Sequence, residues 1–168
     1  MPTVDADRHE VRFRIAVIGG ASERFVEPLH LKQGELELGE VQGYRPRFAF
    51  ETFPHDPWGG DGSKGTVLEE LVPYLDALVL TDSLDAGMHY SSGALERLRK
   101  LLTPGKIRVP AAIFGGPALI EEWQSLSGVP AVYAAEPSED HALPAMKALV
   151  RALLGSNMRS TPPPPGAH

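Results

Sequence analysis

The chain has 168 residues, which suits a single domain, and its hydrophobic fraction of 42% is enough to bury a core without metal or disulfide staples. It has no cysteine, which excludes thiolate chemistry, disulfides and cysteine-bound zinc. Its formal net charge is -6 and its sixteen Lys and Arg form no long basic run, so nucleic-acid binding has little electrostatic support.

Residues 1–10 are polar and read as a flexible arm without a signal peptide. The apolar run from Ile15 to Ile18 is far too short to span a bilayer, so a cytoplasmic protein without membrane partners is expected. Residues 11–18 alternate and then turn continuously apolar, as a strand entering the centre of a sheet does. Gly19-Gly20-Ala21-Ser22 breaks that strand, and a short helix from about Glu23 is limited by Pro28.

Two period-two segments follow, Glu35 to Leu38 and Arg47 to Phe53, with Gln42-Gly43 between them. They predict antiparallel strands joined in a hairpin. A glycine-rich loop runs from Asp56 to Gly65. Thr66-Val67-Leu68-Glu69 has capping-box spacing, which predicts a helix from Val67 to about Tyr74. Asp76 to Thr81 reads as a buried strand.

Ser91 or Ser92 can cap the next helix, whose stripe is Leu95, Leu98, Leu101 and Leu102, and Thr103 to Lys106 ends it. Val109 to Phe114 is another buried strand, stopped by Gly115-Gly116-Pro117. A short helix then carries Leu119, Ile120 and Trp123, and Val129 to Ala134 is the last strand. The final helix starts near Asp140 with Pro144 in its first turn, presents Leu143, Met146, Leu149, Val150 and Leu153 on one face, and ends at Gly155. Residues 156–168, with Pro162 to Pro165, read as a disordered or extended tail that could offer a polyproline ligand.

The order β-α-β-β-α-β-α-β-α-β-α predicts a three-layer α/β domain over 11–155. Its sheet is mostly parallel with one antiparallel edge hairpin. This order resembles the small Ras-like GTPases, in which a hairpin of strands two and three precedes the parallel part of the sheet. The motifs of that family can be tested singly. A phosphate loop requires G-x-x-x-x-G-K-S/T, because glycines let amides close on phosphates, the lysine adds charge and the hydroxyl binds Mg²⁺. Here the run is Gly19-Gly20-Ala21-Ser22-Glu23-Arg24-Phe25-Val26. Only the first glycine remains; Phe25 stands in place of the lysine and Glu23 adds negative charge.

The guanine-reading N-K-x-D position holds Gly115-Gly116-Pro117-Ala118, and the S-A-K position holds Ala134-Ala135-Glu136. Asp56-Pro57-Trp58-Gly59 matches the D-x-x-G segment about three residues late, with Gly60 in place of the water-positioning glutamine. The resemblance therefore implies a pseudo-GTPase with no catalytic residue, cofactor or metal, since phosphoryl transfer rests on the positioning and charge that are missing. Its degenerate loop positions are Gly19, Gly20, Ala21, Ser22 and Phe25. Its interaction surface is expected around Asp56, Trp58, Gly59, Gly60 and Lys64. The resemblance implies a protein partner: a small GTPase, a GTPase regulator or a second copy of the chain.

The second half also resembles a response-regulator receiver domain, through Leu78 to Asp82, Ala86-Gly87-Met88 and Glu136-Pro137. The acidic pair and the lysine of that family are missing. A third expectation is a small-ligand or nucleotide-binding domain using strand ends near Gly19, Asp82 and Gly115, where open α/β sheets place their crevice. The six histidines have no metal-ligand spacing, and no G-x-S-x-G elbow exists. Lys64 in its glycine-rich setting could attract an anion, although Ser63 departs from the phosphate-loop pattern. Trp58, in a loop, suggests an interface anchor, whereas Trp123 reads as core.

Overall fold

The computed structural model describes residues 3–7, 9–19, 21–53, 63–81, 109–127 and 131–157. Among the described residues, seven strands form one sheet. They are β1 (Thr3–Asp5), β2 (Glu10–Ile18), β3 (Glu35–Glu37), β4 (Arg45–Phe53), β5 (Ala77–Thr81), β6 (Ala111–Phe114) and β7 (Tyr133–Ala135). The described α-helices are α1 (Ser22–Val26), α2 (Ser63–Leu71), α3 (Pro117–Ser127) and α4 (Glu139–Asn157). Single 3-10 turns, Glu27–Leu29 and Val72–Tyr74, extend α1 and α2.

The strand order is β3-β4-β2-β5-β6-β7. All neighbours from β4 to β7 are parallel, and β3 pairs antiparallel with β4. The expected α/β class, with a mostly parallel sheet and an antiparallel edge hairpin, is therefore present.

Period-two alternation assigns each strand residue to a face. Val11, Phe13, Ile15 and Val17 of β2 join Phe48, Val79 and Phe114 in a core closed by α1 and α4. Phe13 stacks on Phe48 in the neighbouring strand, with ring centroids 5.4 Å apart. The intervening residues Ala16, Ile18, Leu78, Leu80 and Ile113 face the other way, against Leu68 of α2 and Leu119 and Trp123 of α3. Trp123 is core, as its spacing predicts.

Two tight turns flank β3, each built on a Gln-Gly dipeptide. In the predicted one, Val41 and Tyr44 exchange backbone hydrogen bonds while Gln42 and Gly43 take φ of 52° and 84°. Lys32 and Glu35 do the same around Gln33 and Gly34, at φ 55° and 79°. Positive φ at both central residues gives the twist that matches two antiparallel strands, and glycine adopts it without steric cost.

Several sequence expectations need correction. Residues 3–5, expected within a flexible arm, form β1, which pairs antiparallel with residues 10–12 of β2. Three extended residues there gain a ladder with an open length of β2, which the polar composition of the arm did not signal. Helix α2 begins at Ser63, so Thr66 lies inside it and is not its cap. Helix α4 continues through Gly155 to Asn157. Glycine weakens a helix by only about 1 kcal/mol relative to alanine, which the buried apolar stripe of α4 outweighs. Pro144 is correspondingly beyond the first turn, and it is exposed, as is Asp140, whose carbonyl loses an amide partner to the proline. The last strand lies at 133–135, later than expected. The predicted helix over Ser91 to Leu102 and the tail 158–168 lie outside the described residues.

Asp76 resolves a junction within the sheet. One side of β2 pairs along its full length with β4. The other side is shared, by β1 at residues 10–12 and by β5 at residues 15–18. Between them, the Arg14 amide donates to Asp76 Oδ2 at 2.8 Å, and the Asp76 amide donates to the Arg14 carbonyl at 2.9 Å. A buried carboxylate thus completes the ladder where two strands change over.

Candidate functional site

Because β2, β4, β5, β6 and β7 are parallel, their carboxyl ends lie along one edge of the sheet, where the degenerate phosphate-loop positions also fall. Gly19 follows β2 at φ 120°, a conformation that requires glycine. Its amide donates to the Phe53 carbonyl at the end of β4, at 2.8 Å. The Ala21 amide donates to Thr81 Oγ1 at the end of β5, at 3.2 Å, and the same hydroxyl donates to the Ile18 carbonyl at 2.9 Å. The Ser22 amide donates back to the Gly19 carbonyl at 3.1 Å.

These bonds decide what the loop can do. A phosphate cradle works because several amides point at the ligand with no acceptor in the protein. In this chain the amides of Gly19, Ala21 and Ser22 are each donated inside the fold. Thr81 ties the turn to the neighbouring strand at the boundary of β2 and β5, where open α/β sheets place a ligand crevice.

Phe25, which the Ras-like resemblance sets against a lysine, is completely buried and packs edge-on against Phe114, with ring centroids 5.1 Å apart and planes at 77°. It is a core residue of α1, and α1 itself is only five residues long. The Ser22 hydroxyl is buried and has no hydrogen-bond partner among the described residues. Gly115, which the resemblance sets against the guanine-reading motif, is buried, and its amide donates to the Ala135 carbonyl at 2.8 Å. That bond joins the ends of β6 and β7 rather than facing a ligand. Glu136, where the family has lysine, is exposed.

The structure thus brings Gly19, Ala21, Ser22 and Phe25 together around Thr81 and Phe114. Lys64 falls in the first turn of α2. Gly20, Asp56, Trp58, Gly59, Gly60, Asp82 and Asp85 lie outside the described residues. Among the described residues no cluster of His, Asp or Glu could hold a metal ion. His141 is tied to Tyr133, whose hydroxyl lies 3.1 Å from Nδ1, and so bridges α4 to β7.

Sequence reasoning missed Thr81 as part of this site, because a threonine ending a buried strand carries no local mark of a hydroxyl aimed at a loop sixty residues earlier. It also missed an ion-pair network on β2, β3 and β4. Arg47 reaches Glu35 at 2.9 Å, Glu37 at 3.2 Å and Glu10 at 3.8 Å, and Arg12 reaches Glu35 at 3.0 Å. Period-two spacing of Arg12 and Arg14, Arg45 and Arg47, and Glu35 and Glu37 was the available signal. No helix among the described residues is long and apolar enough to cross a membrane.

No family model matches the chain, and no curated protein does. Among solved structures, 5'-methylthioadenosine/S-adenosyl homocysteine nucleosidase (MTAN) from Campylobacter jejuni aligns at 12% identity over 80% of this chain and 81% of that one. The TM-score of that alignment is 0.22, too small to carry an argument about fold or activity.

Proposed function

We propose that the chain is a pseudo-GTPase: a Ras-like fold that has given up nucleotide chemistry and acts as a non-catalytic protein-interaction or regulatory module. The observation that carries this reading is the closure of the loop after β2. Its amides at Gly19, Ala21 and Ser22 are donated to Phe53, Thr81 and Gly19, and Phe25 is buried where a lysine would meet phosphate. The edge hairpin of β3 and β4 ahead of the parallel strands supports the Ras-like assignment, since it is the order on which the resemblance rests. The receiver-like reading has less support, because β3 and β4 intervene between β2 and β5.

In this reading a protein partner docks on the former switch surface from Asp56 to Tyr74. The described part of that segment buries Leu68 and leaves Val67 and Tyr74 largely exposed, at 51% and 60%. Exposed apolar side chains on a segment anchored by the buried Leu68 are suited to an interface core. The partner class is a small GTPase, a GTPase regulator or a second copy.

Calorimetric titration of GTP and GDP, with and without Mg²⁺, tests the reading directly. No heat and no thermal stabilisation at millimolar nucleotide is the expected result. Micromolar binding would overturn it and turn attention to a ligand site at the strand ends, with the unpartnered Ser22 hydroxyl as its first candidate residue.

A further inference from the structure

The first strand of the sheet is lightly bound. β1 pairs with β2 through Thr3 and Arg12, Val4 and Val11, and Asp5 and Glu10. The side chains of Val4, Asp5, Ala6 and Asp7 are exposed, and Val4 leaves 43% of its surface in water. Such a strand contributes backbone hydrogen bonds and little apolar burial, so little is lost when it comes away.

The connection from β1 to β2, residues 6–9, is a tight hinge held against a cost. The Asp7 amide donates to Asp5 Oδ1 at 3.1 Å, which closes the turn. His9 completes it at φ 55°, a left-handed conformation that disfavours a residue with a Cβ. The Arg45 amide donates to the His9 carbonyl at 2.7 Å, so the strain lies where the hinge meets the pairing of β2 with β4. An open cleft of about 320 Å³ beside the hinge, lined by Asp7, His9, Glu40, Gly43 and Arg45, leaves it room to swing out. Short hinges under strain invite strand exchange.

The register says which occupant fits in place of β1. Each step towards the amino end of β1 is matched by a step towards the carboxyl end of β2. With the hinge straightened, β1 of one copy meets residues 10–12 of another in that same register. The ladder then continues without a slip: residue 6 opposes residue 9 of the second copy, and residue 7 opposes residue 8. The sequence supplies opposite charges for the two central positions, Asp7 and Arg8, and cross-strand pairs of opposite charge are favourable. Each copy recovers the pairs it gives up, adds those of the hinge and releases the strain at His9.

We propose that β1 is an exchangeable strand, and that the chain forms a two-fold dimer in which β1 of each copy completes the sheet of the other. This surface is distinct from the segment between Asp56 and Tyr74, and the exchange does not depend on the fate of the nucleotide loop.

The test uses the full chain, whose sequence without cysteine makes disulfide trapping specific. Val4 and Val11 are directly opposed, at a separation that a disulfide can bridge. Val4→Cys and Val11→Cys are made as separate proteins, refolded together, oxidised and run on a gel without reductant. The mixture should yield far more covalent dimer than either variant alone, because the bridge can form only between copies. Light scattering of the parent protein should show a mass that rises towards the dimer with concentration. His9→Gly removes the strain and favours the closed hairpin, so it should weaken the dimer about tenfold, which corresponds to about 1.4 kcal/mol. Should Val11→Cys fail to fold, Thr3→Cys and Arg12→Cys provide a second opposed pair.

A monomeric mass at every concentration overturns the proposal. So does a dimer whose mixed variants give no more cross-link than either alone, since it forms through another surface. A His9→Gly protein that dimerises as tightly as the parent also overturns it, because the hinge would then play no part. The nucleotide titration above reads the pseudo-GTPase assignment separately, so either idea can fail alone.

Discussion

Thr81 and Ala21 are joined across the carboxyl edge of the sheet: the Ala21 amide donates to Thr81 Oγ1 at 3.2 Å, while that hydroxyl donates to the Ile18 carbonyl at 2.9 Å. One buried side chain on β5 thus satisfies both sides of the turn that leaves β2. Thr81→Val keeps the shape and removes both bonds. Leaving buried polar groups unpaired costs about 1–3 kcal/mol. Thr81→Ser keeps the hydroxyl and should lose less. Chemical denaturation of the three proteins checks the order, and a Val variant as stable as the parent would remove Thr81 from its role as clamp.

Phe25 tests whether one residue can confer phosphate binding on the loop. It packs against Phe114 with no exposure, so Phe25→Lys places an ammonium in the core beside an aromatic edge. The expected outcome is severe destabilisation, at least the roughly 3–5 kcal/mol typical of Phe→Ala in a core, with no nucleotide binding gained. A folded Phe25→Lys protein that binds GDP would show that the loop opens more readily than its hydrogen bonds imply. Thermal unfolding with and without nucleotide separates these results.

At the junction of β1 and β5, Asp76 accepts the Arg14 amide at 2.8 Å from a buried position. Asp76→Ala removes the acceptor and should cost about 1–3 kcal/mol. Asp76→Asn retains an acceptor oxygen and should cost less. Hydrogen exchange at the Arg14 amide is the sharper readout, since its protection should fall in the Ala variant. Unchanged protection would mean that the ladder closes without the carboxylate.

Gly155 offers a change in the opposite direction. It sits inside α4, and a Cβ built on it meets nothing within 4 Å. Gly155→Ala should therefore stabilise the protein by about 0.5–1 kcal/mol, through helix propensity and a less disordered unfolded chain. Gly34, also with open space around it, has φ of 79° and should lose stability on the same change. Measuring the two variants side by side distinguishes backbone conformation from available space.

Much of this architecture is local in origin, and local order is legible along a chain. Alternation in Val11 to Val17 and Arg47 to Phe53 marks strands with two different faces, and it places Phe13 and Phe48 in one core and Ile18 and Phe53 in the other. The Gln42-Gly43 turn was legible in the same way, and so was the apolar stripe of α4 at Met146, Leu149, Val150 and Leu153, whereas Leu143, expected on that face, is exposed. So was the departure from a phosphate loop at Arg24, Phe25 and Val26, because a motif fails residue by residue.

Boundaries were less legible. Thr66 has the spacing of a cap and Gly155 the character of a stop, yet both lie inside helices, since burial of Leu68 and of the α4 stripe outweighs propensities worth less than a buried side chain.

Only the tertiary structure decided that the loop after β2 is closed. The sequence by itself determined that Gly19 to Val26 lacks the lysine, at Phe25, and the metal-binding hydroxyl, at Val26. It carried no information on where the amides of Gly19 and Ala21 point, because the acceptor on Phe53 lies more than thirty residues away along the chain and that on Thr81 lies sixty. The same holds for β1 on β2, for Asp76 beneath Arg14 and for Arg47 among its glutamates. Side-chain periodicity is set by the geometry of one strand or helix, whereas such pairings depend on which strands become neighbours and in what register.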